Sequence, residues 1–313
     1  MSFAAEVKQE LDHVARERPC CRTAELAALL RASGTFHIKG GGSYGLHASF
    51  GLSSTARSAI QLIKSFRLPV EVRVREERRL SQGKRYEVYL EGGDRLVQFL
   101  NETGVLSDSM SLQEGVPERL VRSRCCKAAF LRGAFLGAGS VSEPGAPAHL
   151  EIYSDNEAFL QALLSAASGL ELRLSITRRK KKPAVYAKRL DVVIDFLVKT
   201  GAHQAALRFE ERSIVSSVRA DANRRANFDQ ANAARCSRAA ARQIRAIEAL
   251  QRWDGWPRLS PRLTQVAELR LRHPSATLHE LGRRASPPLS KSAVNHRLRR
   301  LVRLAEERTP GFE

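Results

Sequence analysis

The sequence predicts an α+β protein in which two similar helix-and-strand halves form a pseudo-twofold repeat, followed by an all-α module. Three observations support this. Arg22 to Phe36 (RTAELAALLRASGTF) and Lys127 to Val141 (KAAFLRGAFLGAGSV) repeat one another at a gapless offset of 105 residues, which also pairs Cys20 with Cys125 and Cys21 with Cys126. After each copy, alternating strand-like segments and helix-like periodicity follow in the same order. From Ser260 onward the strand pattern is gone and three helical segments with start and stop signals remain.

The two opening segments are rich in small residues: Ala27, Ala28 and Ala32 in the first, and Gly133, Ala134, Gly137 and Ala138 in the second. Little side chain separates two such helices, so they can cross closely. Gly34 and Gly139, just past the last periodic residue, predict left-handed C-terminal stops. Written as LAALLRASG (Leu26 to Gly34) and LRGAFLGAG (Leu131 to Gly139), the segments resemble the LAGLIDADG motif of homing endonucleases. That resemblance implies a double LAGLIDADG-type domain in which two mixed or antiparallel sheets flank the crossed helices. In the nucleases the acid before the terminal glycine binds the catalytic metal; the matching positions here are Ser33 and Ala138. Neither supplies the anionic oxygen that a hard divalent cation requires, so no catalytic residue and no bound metal are expected. An active nuclease would need Glu25 or Glu143 to compensate.

Residues 2 to 17 predict an amphipathic lead-in helix with Phe3, Val7, Leu11 and Val14 on one face, ended by Pro19. HIKGGGSYGLHASFGL predicts two strands around a loose turn, since a glycine triplet without a following Lys-Ser/Thr and helix is a poor phosphate cradle. Ser53 to Phe66 predicts a helix capped by Ser53 or Ser54 and closed off by Pro69. VEVRVREE and KRYEVYLEG alternate around a turn at Ser81 to Lys84, and Asp94 to Leu100 returns to helix. In the second half Ser53 maps to Ser154, Leu62-Ile63 to Leu163-Leu164, VEVRV to LELRL, Tyr86 to Tyr186 and FLNETG (99–104) to FLVKTG (196–201). There the strand turn becomes TRRKKKP, with Arg178, Arg179, Lys180, Lys181 and Lys182 in succession. This basic run is either a solvated hairpin tip or a phosphate contact that positions a duplex without reading it.

At 313 residues, 43% of them hydrophobic, the chain is long enough for two or three domains. Boundaries fall at 1–202, 203–257 and 258–313. A formal net charge of +19 favours a polyanionic partner, nucleic acid first and an anionic membrane surface second. No apolar run reaches the roughly 18–20 residues of a membrane span, and the N-terminus lacks a secretory signal, so a cytoplasmic, nucleoid-associated location is expected. Five cysteines argue against a disulfide scaffold. Cys20, Cys21, Cys125 and Cys126 sit at equivalent repeat positions near the expected pseudo-twofold axis, but adjacent cysteines lack usual zinc-site spacing and read as buried, inert thiols.

Residues 203–220 predict a helix, DANRRANFDQANAARCSR (221–238) a polar linker without apolar periodicity, and Ala239 to Trp253 a second helix. Asn223, Arg224, Arg225, Asn227 and Asn232 either cap helices or face DNA. Ser260-Pro261 then starts a helix with Leu263, Val266, Ala267 and Arg270, and Thr277-Leu278-His279-Glu280 is a capping box opening a short second helix. Ser286-Pro287-Pro288-Leu289 makes a turn no helix crosses. Ser290 caps the third helix, which keeps Val294, Leu298, Leu301 and Ala305 on one face and Lys291, Ser292, Asn295, His296, Arg299 and Arg300 on the other. This is the order of a helix-turn-helix, with the N-terminal half of its third helix placed for the major groove. Residues 258–313 carry twelve Lys or Arg against five acids. Asn295 suits an adenine edge and Arg299 a guanine, while Lys291 and Arg300 suit phosphates.

The connector NRRANFDQAN (223–232) and SPPLSKSAVNHRLRRL (286–301), added to the LAGLIDADG-like halves, resemble the WhiA family of bacterial sporulation and cell-division regulators. The resemblance implies a cytoplasmic protein that binds double-stranded promoter DNA on a nuclease-derived scaffold that no longer cuts, acting in actinomycetes beside an iron-sulfur WhiB-type partner. Two other readings compete: an active Mg-dependent homing endonuclease, and a nucleoid-structuring or RNA-binding protein without sequence preference.

Overall fold

The computed structural model describes residues 2–40, 43–77, 83–177, 183–252, 256 and 259–308. Both halves of the repeat are built alike. The first comprises helix α2 (Pro19–Ser33), strands β1 (Gly34–Gly40) and β2 (Ser43–Phe50), helix α3 (Ser53–Lys64), strands β3 (Glu71–Glu77) and β4 (Gly83–Gly92), and helix α4 (Asp94–Glu102). The second comprises α5 (Arg124–Ala138), β5 (Gly139–Val141), β6 (Leu150–Tyr153), α6 (Glu157–Ser168), β7 (Ser175–Thr177), β8 (Ala184–Ala187) and α7 (Leu190–Thr200). Each half holds one four-stranded antiparallel sheet, ordered β1-β2-β4-β3 and β5-β6-β8-β7.

Helices α2 and α5 cross at the centre because their small residues let them. A Cβ added at Gly133 would sit 2.8 Å from the Glu25 carbonyl carbon, and one at Gly137 2.7 Å from the Ala32 Cβ. Around this crossing, Phe99, Phe130, Phe135, Phe159 and Phe196 join one apolar core. Arginines from the central helices satisfy the carbonyls that end the outer ones. Arg31 of α2 donates to the Thr103 carbonyl (2.9 Å) and the Gly104 carbonyl (2.5 Å), and Arg132 of α5 to the Thr200 carbonyl (3.1 Å).

Several expectations are corrected. The lead-in helix, α1 (Phe3–Asp12), stops before Pro19, which opens α2 at its first turn, where a missing N–H costs nothing. Gly34 (φ −102°) and Gly139 (φ −80°) are extended, not left-handed, because each begins a strand directly. Glycine is needed there for space, since a Cβ would overlap the Leu30 carbonyl oxygen or the Phe135 ring. Leu52, not Ser53 or Ser54, precedes α3, its carbonyl accepting the Ala56 N–H at 3.1 Å.

The repeat holds, but its middle is shifted. Thr55, Ala56, Ala59, Leu62 and Ile63 are buried on α3, and Phe159, Leu160, Leu163, Ala166 and Ala167 on α6, which fixes an offset of 104 there. Leu62-Ile63 therefore corresponds to Ala166-Ala167. LELRL precedes β7 instead of forming it, and Glu171 repeats the left-handed backbone of Arg67 (φ 62° and 58°). Tyr186 pairs with Ser175 as Tyr89 does with Glu71, making Tyr89, not Tyr86, its counterpart. FLNETG and FLVKTG do match: the Thr103 and Thr200 hydroxyls donate to the Phe99 and Phe196 carbonyls at 2.8 and 2.7 Å.

Residues 221–238, expected as a linker, lie inside one continuous helix, α8 (His203–Gln251). The segment contains neither glycine nor proline, and alanine and arginine sustain a helix without any apolar stripe. Glu10 receives the Gln204 and Ala205 N–H groups at 2.7 and 2.9 Å, satisfying the start of α8. Asn223, Asn227 and Asn232 are exposed inside the helix and cap nothing. The chain divides into two compact units, Met1–Val218 and Arg219–Glu313. No helix among the described residues is long and apolar enough to cross a membrane.

Candidate nucleic-acid interface

The second unit is held together by helices α9 (Pro261–Arg272), α10 (Leu278–Arg284) and α11 (Lys291–Arg308), packed with the last turns of α8. Ile247, Leu250, Val266, Leu281, Val294 and Leu298 form its core. The predicted capping box is present: Thr277 Oγ1 accepts the Glu280 N–H at 3.3 Å and Glu280 Oε2 accepts the Thr277 N–H at 2.7 Å. The latter bond leads the causes that hold the Glu280 carboxyl below its usual range. The Gly282 carbonyl accepts the Leu289 N–H at 2.9 Å, and a Cβ at Gly282 would find no room against the Leu289 carbonyl, which seats the turn against α10. Ser290 Oγ then accepts the Ala293 N–H at 3.2 Å. Arg270, 3% exposed, donates to the Ala276 carbonyl at 2.6 Å and so ties down the approach to α10; burial lowers its guanidinium's pKa.

The remaining face of α11 is turned to solvent. Lys291, Ser292, His296, Arg299 and Arg300 are exposed and Asn295 is half-buried. Among the described residues, the ion pairs of this unit are Arg224 with Asp221, Arg242 with Glu306 (2.5 Å) and Arg272 with Glu268 (3.0 Å). None involves Lys291, Arg299 or Arg300, so the first three turns of α11 present cations and amides without a competing carboxylate. Arg224 and Arg225 are exposed on α8, apart in sequence from this face. Arg178, Arg179, Lys180, Lys181 and Lys182 lie outside the described residues.

In the first unit, a cleft of about 540 Å³ opens beside the C-terminal ends of α2 and α5, with Arg31, Ala32, Ala138 and Asp155 in its wall. At Ser33 and Ala138, the positions that match the metal-binding acids of the LAGLIDADG motif, no anionic oxygen is offered. Ser33 turns its hydroxyl back to the Leu29 carbonyl at 2.7 Å, and Ala138 has no donor atom. Glu143 accepts the Phe3 N–H at 2.9 Å. Glu25 is fully buried between Arg16 and Arg132 at 2.8 and 2.7 Å.

Three family models match the chain: the WhiA N-terminal LAGLIDADG-like domain over 19–106, the WhiA LAGLIDADG-like domain over 127–219 and the WhiA C-terminal HTH domain over 222–305. A probable cell division protein WhiA from Heliobacterium modesticaldum is 39% identical over 307 residues, covering 98% of this chain and 96% of its own. The chain belongs to the WhiA family. A second such WhiA protein, from Desulforamulus reducens, is 38% identical over 315 residues, covering 100% of this chain and 98% of its own. The crystal structure of full-length WhiA from Thermatoga maritima matches with a TM-score of 0.58 at 26% identity, covering 98% of this chain and 99% of that one.

The HTH match spans the second half of α8 together with α9, α10 and most of α11, and the two LAGLIDADG-like matches span the paired halves. The expectation of buried cysteines is corrected: Cys126 is buried, Cys21 and Cys125 are intermediate and Cys20 is exposed. Their environments differ. Hydrogen bonds, led by that of Ser123, pull the Cys125 thiol down to about 6, while burial first of all pushes Cys21 upward. The arginines that terminate the outer helices could not be found from sequence, because their partners, backbone carbonyls 72 and 68 residues away, leave no local pattern.

Proposed function

We propose that this WhiA-family protein is a sequence-specific DNA-binding transcription regulator, acting on cell-division or sporulation promoters, that does not cut DNA. The observation that carries the reading is the outward face of α11, where Lys291, Ser292, Asn295, His296, Arg299 and Arg300 meet no acid before Glu306. A helix-turn-helix of this build puts the N-terminal part of its last helix into the major groove. Asn295 then pairs with the N6/N7 edge of an adenine and Arg299 with O6/N7 of a guanine, each pair contributing about 1–3 kcal/mol of discrimination. Lys291 and Arg300 hold phosphates, and Ser292 and His296 flank the base contacts. Arg224, Arg225 and the run Arg178 to Lys182 add phosphate contacts that strengthen binding without selecting sequence. The lack of a fit for a divalent ion at Ser33 and Ala138 supports a non-enzymatic role.

The test is a double substitution, Asn295→Ala with Arg299→Ala, assayed on the protein's preferred duplex and on a scrambled one. We expect preference to fall by at least about 10-fold while weak binding to both duplexes survives. Undiminished preference would remove α11 as the reader.

A further inference from the structure

Four cysteines converge where the two central helices begin. Cys20 and Cys21 lie in the first turn of α2, Cys125 and Cys126 in the first turn of α5, and their four Sγ atoms all lie within 4.8 Å of one another. A zinc ion with Zn–S bonds of about 2.3 Å holds four thiolates about 3.8 Å apart, so small side-chain rotations suffice to close this set around one ion. A polynuclear cluster, which spreads its thiolates around several metal ions, needs a wider set. Adjacent cysteines are a poor zinc pair within one helix, because neighbours diverge by about 100° around its axis. Here the repeat supplies a second pair from the opposite helix, so the tetrahedron is assembled between the halves.

The surroundings suit an anionic centre. All four cysteines sit in the first turns of two helices, whose N-terminal dipole ends favour negative charge. Arg18 Nη1 lies 3.6 Å and the Ser123 hydroxyl 3.1 Å from Cys125 Sγ. We propose that Cys20, Cys21, Cys125 and Cys126 bind one zinc-type divalent ion that staples the two LAGLIDADG-like halves at their pseudo-twofold axis. Binding holds all four cysteines as thiolates, each one still protonated giving up its proton, and leaves a site of net charge −2 that the helix ends and Arg18 offset. All four ligands are used, so the site is structural and independent of the DNA-reading proposal.

The experiment compares the full-length protein, purified anaerobically, with the variants C20S/C21S, C125S/C126S and C236S. The wild type and C236S should each carry one zinc per chain, and both double variants none. In the wild type one thiol, Cys236, should react freely, with four more becoming reactive only after chelation. Adding Co²⁺ to the stripped wild type should produce the thiolate charge-transfer and intense d–d bands of a tetrahedral S₄ site, a readout that stands even if a double variant fails to fold. A wild type that lacks zinc and gives no such bands overturns the proposal. So do disulfides among the four residues in anaerobic protein, or zinc retained by a folded double variant.

Discussion

Glu25 shows most plainly how one residue acquires its role from distant parts of the chain. Its carboxylate, without solvent contact, accepts Arg16 on one oxygen and both Nε and Nη2 of Arg132 on the other, at 2.9, 3.0 and 2.7 Å. Removing one partner of a buried charge pair leaves the others uncompensated, so Glu25→Ala should cost about 3–5 kcal/mol in urea unfolding. A loss below about 1 kcal/mol would mean that the arginines find water instead. Lys8 gives a pH-dependent counterpart: burial lowers its ammonium to about 8, against a weaker pull from Asp12. Between pH 8 and 10.5 the unfolded chain binds the extra proton, so wild-type stability from this group rises with pH across that window. Lys8→Met should therefore raise the melting temperature at pH 7, with the advantage shrinking toward pH 10; an equal gain at both would contradict the assignment. From sequence alone Glu25 figured only as a residue that a rival nuclease reading would need, since nothing local announces a partner 107 residues away.

At the scale of elements, the crossing of α2 and α5 depends on what its residues omit. Gly133 faces the Glu25 backbone, so Gly133→Val must push the helices apart, costing about 1–3 kcal/mol or more. An unchanged thermal midpoint would show that the helices do not meet there. This crossing was legible because runs of small residues have one evident use in a helix. The internal register was less so. The α3 to α6 correspondence slipped by three residues, nearly one helical turn, which keeps apolar residues on almost the same face; the β3 to β7 match slipped by four, which preserves two-residue alternation. FLNETG and FLVKTG escaped the ambiguity because Thr103 and Thr200 bond back to the preceding turn, and Gly104 (φ 70°) and Gly201 (φ 107°) need left-handed backbone. The middle of α8 was illegible for the opposite reason: its residues 221–239 are all exposed, so no burial pattern marks it, and intrinsic propensity alone makes the helix. In the HTH domain the capping box at Thr277, the turn, the Ser290 cap and the third helix all stand as expected, whereas Ser260 opens α9 without a side-chain cap bond.

For the whole molecule, a net charge of +19 and a cation-lined α11 define two separable contributions to the proposed DNA binding. The sequence-independent one comes from phosphate neutralisation. Replacing Arg178, Arg179, Lys180, Lys181 and Lys182 with neutral residues should weaken binding to all duplexes alike and flatten the dependence of log affinity on log salt by up to about 0.9 for each phosphate these side chains neutralise. An unchanged slope would assign the run to solvent. In the proposed reading the sequence-dependent contribution resides in α11, and the positions of Ser33 and Ala138 hold no metal ligand. The most direct measurement exposes the full-length protein to a pool of random duplexes with and without Mg²⁺, recovers the bound DNA and examines it for breaks. One enriched motif on intact duplexes is expected under both conditions; Mg²⁺-dependent cleavage at a fixed site, or binding that enriches nothing, would refute a non-cutting, sequence-specific binder.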